Sequence, residues 1–344
     1  MVNLRLRRAG LPIAVSAVVA AVAVAGTLMA NGTAGAETTK ADPTVALAEA
    51  ATAAKKFAIK ESSAKARAFA AASTDESNFG DLTGDGKADL AAIDKSGTMW
   101  VYPGKQYVYP GTGTRSTSFF SARLKVGTGW GKFTSLVRHG DFNGDGRQDI
   151  LTRDASGKLF FYAGTGNPAG MFKKGTQAGT GWGNFTSITG AGDLNGDGKD
   201  DLLGQQTDGK LALYTGTNKP AAPFASKGKI IGTGWKGSLL TAMGDLSGDG
   251  RSEFLFRNTS GVVYLYESRS GSNPIGARTT VIPEGEVGNY LKNMVGMGDL
   301  ASDAEWVPTP DTLWQGKGGE LLLFSADWEG DVEIGTGWAN YRIF

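Results

Sequence analysis

Three observations predict an all-β fold, a five-bladed β-propeller of four-stranded blades, preceded by an α-helical N-terminal segment. An acidic, glycine-containing loop recurs with its first aspartate at positions 81, 141, 193, 245 and 299, at spacings of 60, 52, 52 and 54 residues. A second motif, Gly-Thr-Gly-Trp, keeps step with the loops and ends at Trp130, Trp182, Trp235 and Trp338. Short apolar runs, each preceded by a turn, lie between the two motifs. A period near fifty residues is too long for one coil of a solenoid and suits one blade of four short strands.

The chain opens on Arg5, Arg7 and Arg8, an apolar run from Leu11 to Ala30 and the small residues Ala34-Gly35-Ala36. These are the parts of a signal peptide over residues 1–36, so the chain is expected to be secreted. Cleavage after Ala36 removes three of 35 basic residues and none of 34 acidic ones, leaving 32 against 34, a balance of −2. That balance argues against a nucleic-acid partner, and no later apolar stretch is long enough for a membrane helix. The absence of cysteine excludes disulfides, a thiol nucleophile and an acylated-cysteine anchor. An exported fold without disulfides needs another staple, and a bound ion supplies one. Residues 37–78 are alanine-rich and free of glycine, with Asp42-Pro43 placed as N-cap and first helical residue. Thr44 to Ala72 reads as a helix without a wide apolar stripe, a spacer, pro-segment or docking helix rather than a domain.

The propeller follows over residues 79–344. Its loops place oxygen-bearing side chains at positions 1, 3, 5 and 9: Asp81, Thr83, Asp85 and Asp89; Asp141, Asn143, Asp145 and Asp149; Asp193, Asn195, Asp197 and Asp201; Asp245, Ser247, Asp249 and Glu253. Position 7 offers the backbone carbonyl of Lys87, Arg147, Lys199 and Arg251. Six to eight oxygen ligands at such alternate positions are what calcium requires, and glycine at position 6 permits the sharp turn. An EF-hand would add a bidentate glutamate at position 12, where this chain has Ala92, Thr152, Gly204 and Phe256. About four calcium ions are therefore expected, held best by loops two and three with their three aspartates and one asparagine. The fifth copy departs from the pattern, with Ala301 and Glu305 at positions 3 and 7 and a displaced acid at Asp311.

The runs Leu159–Tyr162, Leu211–Tyr214, Val262–Tyr266 and Leu321–Phe324 read as strands. Before them stand Asp94-Lys-Ser-Gly97, Asp154-Ala-Ser-Gly157, Thr207-Asp-Gly209 and Asn258-Thr-Ser-Gly261, turns whose glycine suits a left-handed hairpin residue. The last Gly-Thr-Gly-Trp is followed by no loop, and the first loop is preceded by no Gly-Thr-Gly-Trp. Aligning Ala339–Phe344 with Gly131–Leu136 makes the terminal strand complete the first blade, which closes a ring of five and removes the sheet edges.

Catalytic constellations are sparse. The one histidine, His139, holds a place filled elsewhere by Ala191, Met243 and Met297, which predicts a strand position rather than a catalytic role. No serine elbow or zinc spacing is present. The acids that break the repeat, Glu284, Glu286, Asp327, Glu329, Asp331 and Glu333, keep a glycan-processing enzyme as an alternative. The four tryptophans can either stack on a sugar ring or wedge neighbouring blades, and Tyr102, Tyr162, Tyr214 and Tyr266 recur with the same two readings.

These loops resemble the FG-GAP/VCBS repeats of integrin-like propellers, in which Asp-x-Asp/Asn-x-Asp-Gly-x-x-Asp loops bind calcium within each blade. The Gly-Thr-Gly-Trp blades, with Phe133 or Phe185 three residues later, are similar to those of tachylectin-type five-bladed lectins. Together the likenesses cover Phe79 to Phe344. They imply a secreted calcium-binding adhesion module, lectin-like, with extracellular glycans as partners and Trp130, Trp182, Trp235 and Trp338 as ligand residues. A protein-interaction scaffold is the further alternative.

Overall fold

The computed structural model describes residues 79–105, 119–236, 239–282, 290–298, 311–324 and 332–344. The signal peptide and helical segment expected over residues 1–78 lie outside the described residues. Among the described residues every named strand belongs to one of five antiparallel four-stranded sheets. Blade two is β4 (Phe133–Val137), β5 (Ile150–Asp154), β6 (Leu159–Tyr162) and β7 (Thr176–Gly179). Blade three is β8 (Phe185–Gly192), β9 (Asp201–Gln206), β10 (Leu211–Tyr214) and β11 (Lys229–Gly232). Blade four is β12 (Leu239–Gly244), β13 (Glu253–Arg257), β14 (Val263–Ser268) and β15 (Ile275–Ile282). Blade five is β16 (Leu291–Gly298), β17 (Asp311–Gly316), β18 (Leu321–Phe324) and β19 (Val332–Gly335).

Blade one is built from both ends of the propeller. β1 (Leu90–Ile93), β2 (Met99–Tyr102) and β3 (Leu124–Gly127) are joined by β20 (Arg342–Ile343), which pairs Ile343 with Ala92 and Arg342 with Ile93. Phe344 N–H donates to the Ala91 carbonyl at 2.9 Å, and Arg342 Nη1 reaches across to the Phe133 carbonyl of blade two at 2.9 Å. The C-terminal strand thus closes the ring as the repeat alignment predicts. The hairpin glycines Gly97, Gly157, Gly209 and Gly261 all take left-handed φ between 75° and 87°.

The core lies between blades. Each of the five apolar clusters draws on two neighbouring blades: Leu151, Leu159 and Phe161 of blade two meet Ile188, Leu202 and Ala212 of blade three. At the closure, Leu90 and Ala92 of blade one and Ile343 meet Val295, Leu313 and Leu323 of blade five. A blade therefore has little interior of its own. With about 1.5–3 kcal/mol for each large apolar side chain fully buried, most stabilisation is shared between adjacent units.

The innermost strands surround an axial cavity of about 270 Å³ whose lining includes Thr134, Ser135, Thr186, Ser187, Leu240 and Asn293. Arg138 is among its lining residues. Where the other blades carry Gly190, Ala242 and Gly296, blade two sends this one long side chain inward, and β4 ends at Val137 while β8, β12 and β16 run on to Gly192, Gly244 and Gly298. The buried guanidinium donates to the carbonyls of Asp89 in blade one and Gly296 in blade five, the latter at 2.7 Å, and to His139 Nε2 at 2.8 Å. Burial lowers its pKa to about 9. His139 consequently leaves the strand position that the repeat predicts for it. It takes a left-handed φ of 69° and stacks on Phe79 at 4.5 Å.

Removing residues 335–344 takes β20 from β1 and the apolar cluster of the closing seam. The expected outcome is aggregation or loss of a single cooperative transition, measured by size-exclusion chromatography and calorimetry. A monomeric truncated chain with the parental melting curve would refute this account of closure.

Candidate metal centres

Each acidic loop runs into the second strand of its blade, and two of its carboxylates organise it. The position 1 aspartate folds the loop onto itself. Asp141 accepts the N–H groups of Gly144 at 2.7 Å and Gly146 at 2.6 Å, and Asp193 those of Gly196 and Gly198, both at 2.7 Å. Asp81 and Asp245 hold their loops through the same kind of bond to Gly86 at 2.8 Å and Gly250 at 2.7 Å. Position 6 is left-handed in the four described loops, at Gly86, Gly146, Gly198 and Gly250, and a side chain there would meet open space, so its glycine answers to backbone conformation alone.

The position 9 carboxylate sits at or just before the strand and is buried. Asp89 Oδ2 accepts the N–H groups of Leu82 and Thr83, both at 2.8 Å, while Oδ1 accepts that of Gly104 at 3.0 Å, beyond the third strand. Asp149 and Asp201 repeat the outer bond with Gly164 at 2.8 Å and Gly216 at 3.0 Å. Burial pushes Asp89 up to about 6, Asp149 and Asp201 to about 7 and Glu253 to about 8, against the backbone hydrogen bonds that pull the other way. The acids at positions 1 and 5 raise the last three further.

Position 5 faces solvent. Asp85, Asp145 and Asp197 pair with the side chains of Lys87 (3.9 Å), Arg147 (3.6 Å) and Lys199 (3.7 Å), and Asp249 pairs with Arg251. Such exposed pairs contribute little to stability and leave the position 5 oxygens available. The donors are thus hard oxygens around a buried carboxylate, a set suited to a divalent cation such as calcium and to neither zinc nor copper. A cation bound there offsets the burial that raises the position 9 groups.

The loops differ from one another in geometry. In loop four Asp245, Asp249 and Glu253 each bring an oxygen within 4.8 Å of the others, because the longer glutamate reaches further. In loops two and three Asn143 and Asn195 turn their amide nitrogens to Asp149 (3.0 Å) and Asp201 (2.8 Å). In blade five Asp311 pairs in register with Gly298, as Asp201 does with Gly192 and Glu253 with Gly244, so the displaced acid takes the buried position 9 place. Residues 299–310 lie outside the described residues. Sequence reasoning missed position 4: Gly84, Gly144, Gly196 and Gly248 are all left-handed, and the first two lie against Gly166 and Asn218 of the next blade. Glycine at that place in all four copies was the available signal.

The tryptophans separate into two kinds. Trp130, Trp182 and Trp235 are 8%, 9% and 5% exposed, which leaves no face for a sugar and corrects their expected ligand role. Each packs on a tyrosine of the following blade, with ring centroids at 4.9 Å to Tyr162, 4.6 Å to Tyr214 and 5.0 Å to Tyr266. Their backbone N–H groups donate to the carbonyls of the hairpin glycines Gly97, Gly157 and Gly209 of the preceding blade, all at 3.0 Å, which ties the tryptophan motif to the hairpin turns. Trp338 remains half-buried, 5.0 Å from Tyr102 and 5.3 Å from Tyr341. Blade five has Tyr290 where the motif would stand, and the buried Trp314 of β17 fills that junction. Among the described residues the lining of the axial cavity includes no aspartate or glutamate. Of the non-repeating acids Glu333 lies exposed on β19, and the others lie outside the described residues.

Comparison with known proteins matches residues 81–152, 141–204 and 193–256 to the family model for the FG-GAP-like repeat. No curated protein matches the chain. Among solved structures the chain is similar to a symmetrical protein whose de novo evolutionary emergence is shaped by folding constraints, at 12% identity and TM-score 0.46, covering 74% of this chain and 97% of that one. It is also similar to BBS1N in complex with ARL6DN, at 14% identity and TM-score 0.34 over 71% and 75% of the two chains. A third likeness is to AofleA from Arthrobotrys oligospora, at 10% identity and TM-score 0.40 over 76% and 72%. None of the three bears on what this chain binds.

Replacing Trp182 with alanine empties an inter-blade site, and the expected cost is about 3–5 kcal/mol of stability. Chemical denaturation at saturating calcium measures it; a loss under about 1 kcal/mol would return this side chain to the surface.

Proposed function

Because the chain belongs to the FG-GAP-like repeat family, we propose that it is a secreted, calcium-loaded propeller acting as a binding module for extracellular glycans. The observation that carries the calcium reading is the buried carboxylate at position 9 of four oxygen-lined loops, with Asp311 at the same place in blade five. The side chains of Asp81, Thr83, Asp85 and Asp89, and their counterparts in loops two to four, would hold one ion each, with the carbonyls of Lys87, Arg147, Lys199 and Arg251 completing the set. Bound calcium supplies charge neutralisation and a cross-link, and no chemistry is required of it. At about 1 mM calcium and about 0.1 mM affinity, each site adds roughly 1.4 kcal/mol, so four add about 5–6 kcal/mol.

The glycan reading rests on the seam between blades five and one. There Trp100, Tyr102, Trp338 and Tyr341 are half-buried, and exposed Arg123 lies 4.0 Å over the Trp100 ring with Nη1 3.1 Å from the Tyr341 hydroxyl. Flat aromatic faces bordered by hydrogen-bonding groups suit a sugar ring. Glycan-array binding by the calcium-loaded protein, lost in Trp338→Ala without loss of the fold, is the expected result. Array-wide silence together with capture of a protein ligand would favour the scaffold reading.

The calcium sites also fix a pH dependence. The buried carboxyls have folded-state pKa values above their ordinary ones. Without calcium their contribution to stability is present below about pH 4 and is lost as pH rises towards 6–8. Calcium should relieve that loss. The calcium-induced rise in Tm is therefore expected to be larger at pH 8 than at pH 5, and a rise that shrinks with pH would count against these ligands.

A further inference from the structure

Loops two, three and four are joined to one another by bonds that the individual sites do not need. Asp200, at position 8 of loop three, accepts the backbone N–H of Asp141, position 1 of loop two, at 2.5 Å. Ser252, at position 8 of loop four, donates its backbone N–H to the carbonyl of Asp193, position 1 of loop three, at 2.9 Å. The same relation, position 8 of one loop to position 1 of the loop before it, thus occurs at two successive junctions. At the second junction the chain of Arg251 also lies against Gly196, where an added Cβ would stand 3.3 Å from its Cγ. Position 1 is the residue that folds each loop through its glycine N–H groups.

Resting on the calcium reading above, we propose that loops two, three and four bind calcium cooperatively, with Asp200 as the positioning residue that couples loop two to loop three. An ion that draws the Asp141 carboxylate into its coordination shell fixes the backbone of Asp141. That N–H then holds the Asp200 side chain, which is one residue from Asp201, the buried ligand of loop three. Ordering one loop removes part of the conformational cost of ordering the next, which is a coupling free energy between sites and works equally in both directions. Asp200 donates no oxygen to an ion in this scheme. The first junction is made by a side chain and the second by backbone, so a side-chain truncation can break only the first.

Calcium titration of the full chain by isothermal calorimetry tests this, with calcium alone as the probe. The wild type is expected to show a Hill coefficient above one. Disabling loop two with Asp145→Ala should weaken loop three by about fivefold or more, the lower range of typical coupling. In the Asp200→Ala background the same Asp145→Ala change should leave loop three within about twofold, with the ion count of the single Asp200→Ala variant equal to wild type. Asp200→Asn keeps an acceptor without the charge and should retain the coupling; if it behaves as Asp200→Ala, charge rather than the bond links the loops and the proposal fails. A lost ion in Asp200→Ala would make Asp200 a ligand and overturn it. Independent sites in the wild type overturn the coupling alone, whereas absence of calcium binding overturns the calcium reading with it.

Discussion

Burying an acid at the head of the second strand in blades one to four ties the loop, the strand and the turn beyond the third strand into one unit. Asp89 illustrates it: one oxygen gathers the N–H groups of Leu82 and Thr83 within the loop, while the other takes that of Gly104, fifteen residues away. A carboxylate in such a place costs several kcal/mol unless its charge is met, and two or three neutral N–H donors meet only part of it. Its pKa is displaced upward despite those bonds, so desolvation outweighs them. Each described loop therefore holds a buried acid whose charge its own hydrogen bonds meet only in part. The fold and the candidate metal site share the same atoms.

The second constraint is that no blade has a core of its own. Every cluster straddles a junction, so the Gly-Thr-Gly-Trp motif can be judged by what its tryptophan supplies there. An aromatic side chain burying about 150–250 Å² is worth roughly 4–6 kcal/mol at the usual coefficient, well above what one weak sugar contact returns. The motif's first glycine lets the indole nitrogen approach its backbone, at 3.0 Å from where a Cβ would stand on Gly179, and the second turns the chain left-handed at φ 85°. Both glycines thus serve packing.

Much of this was legible in the sequence because backbone geometry demanded particular residues at fixed offsets. The loop aspartates, the glycines after the hairpin turns and the missing half-blade at each end gave the period, the number of blades and the closure. The rest depended on facts that spacing does not carry. Whether Trp130 faces a neighbour or solvent is decided by the twist between blades. Arg138 departs from the repeat once, and it binds Gly296, 158 residues away, so neither its axial position nor the displacement of His139 could be read locally. The reach of Glu253 towards Asp245 and Asp249, and the contacts of the Asn143 and Asn195 amides with Asp149 and Asp201, do not follow from counting charges.

A repeat whose packing is alike at its ordinary junctions is best read at the junctions where it departs from itself. Blade five is flanked by both such junctions. Towards blade four, Trp314 of β17 joins the apolar cluster of the junction, and Tyr290 donates its hydroxyl to Glu320 at 2.9 Å. Towards blade one, Tyr341 replaces the phenylalanine of blades two and three, and its hydroxyl accepts from Arg123. Replacing a buried phenylalanine by tyrosine at an ordinary junction would strand a hydroxyl in an apolar cluster, at a cost of about 1–3 kcal/mol. At this seam the hydroxyl reaches an exposed guanidinium and the tryptophan beside it stays half-buried. The polar substitution is tolerated here because the cluster opens to solvent, and the same opening leaves the aromatic faces of Trp100, Tyr102, Trp338 and Tyr341 half-buried.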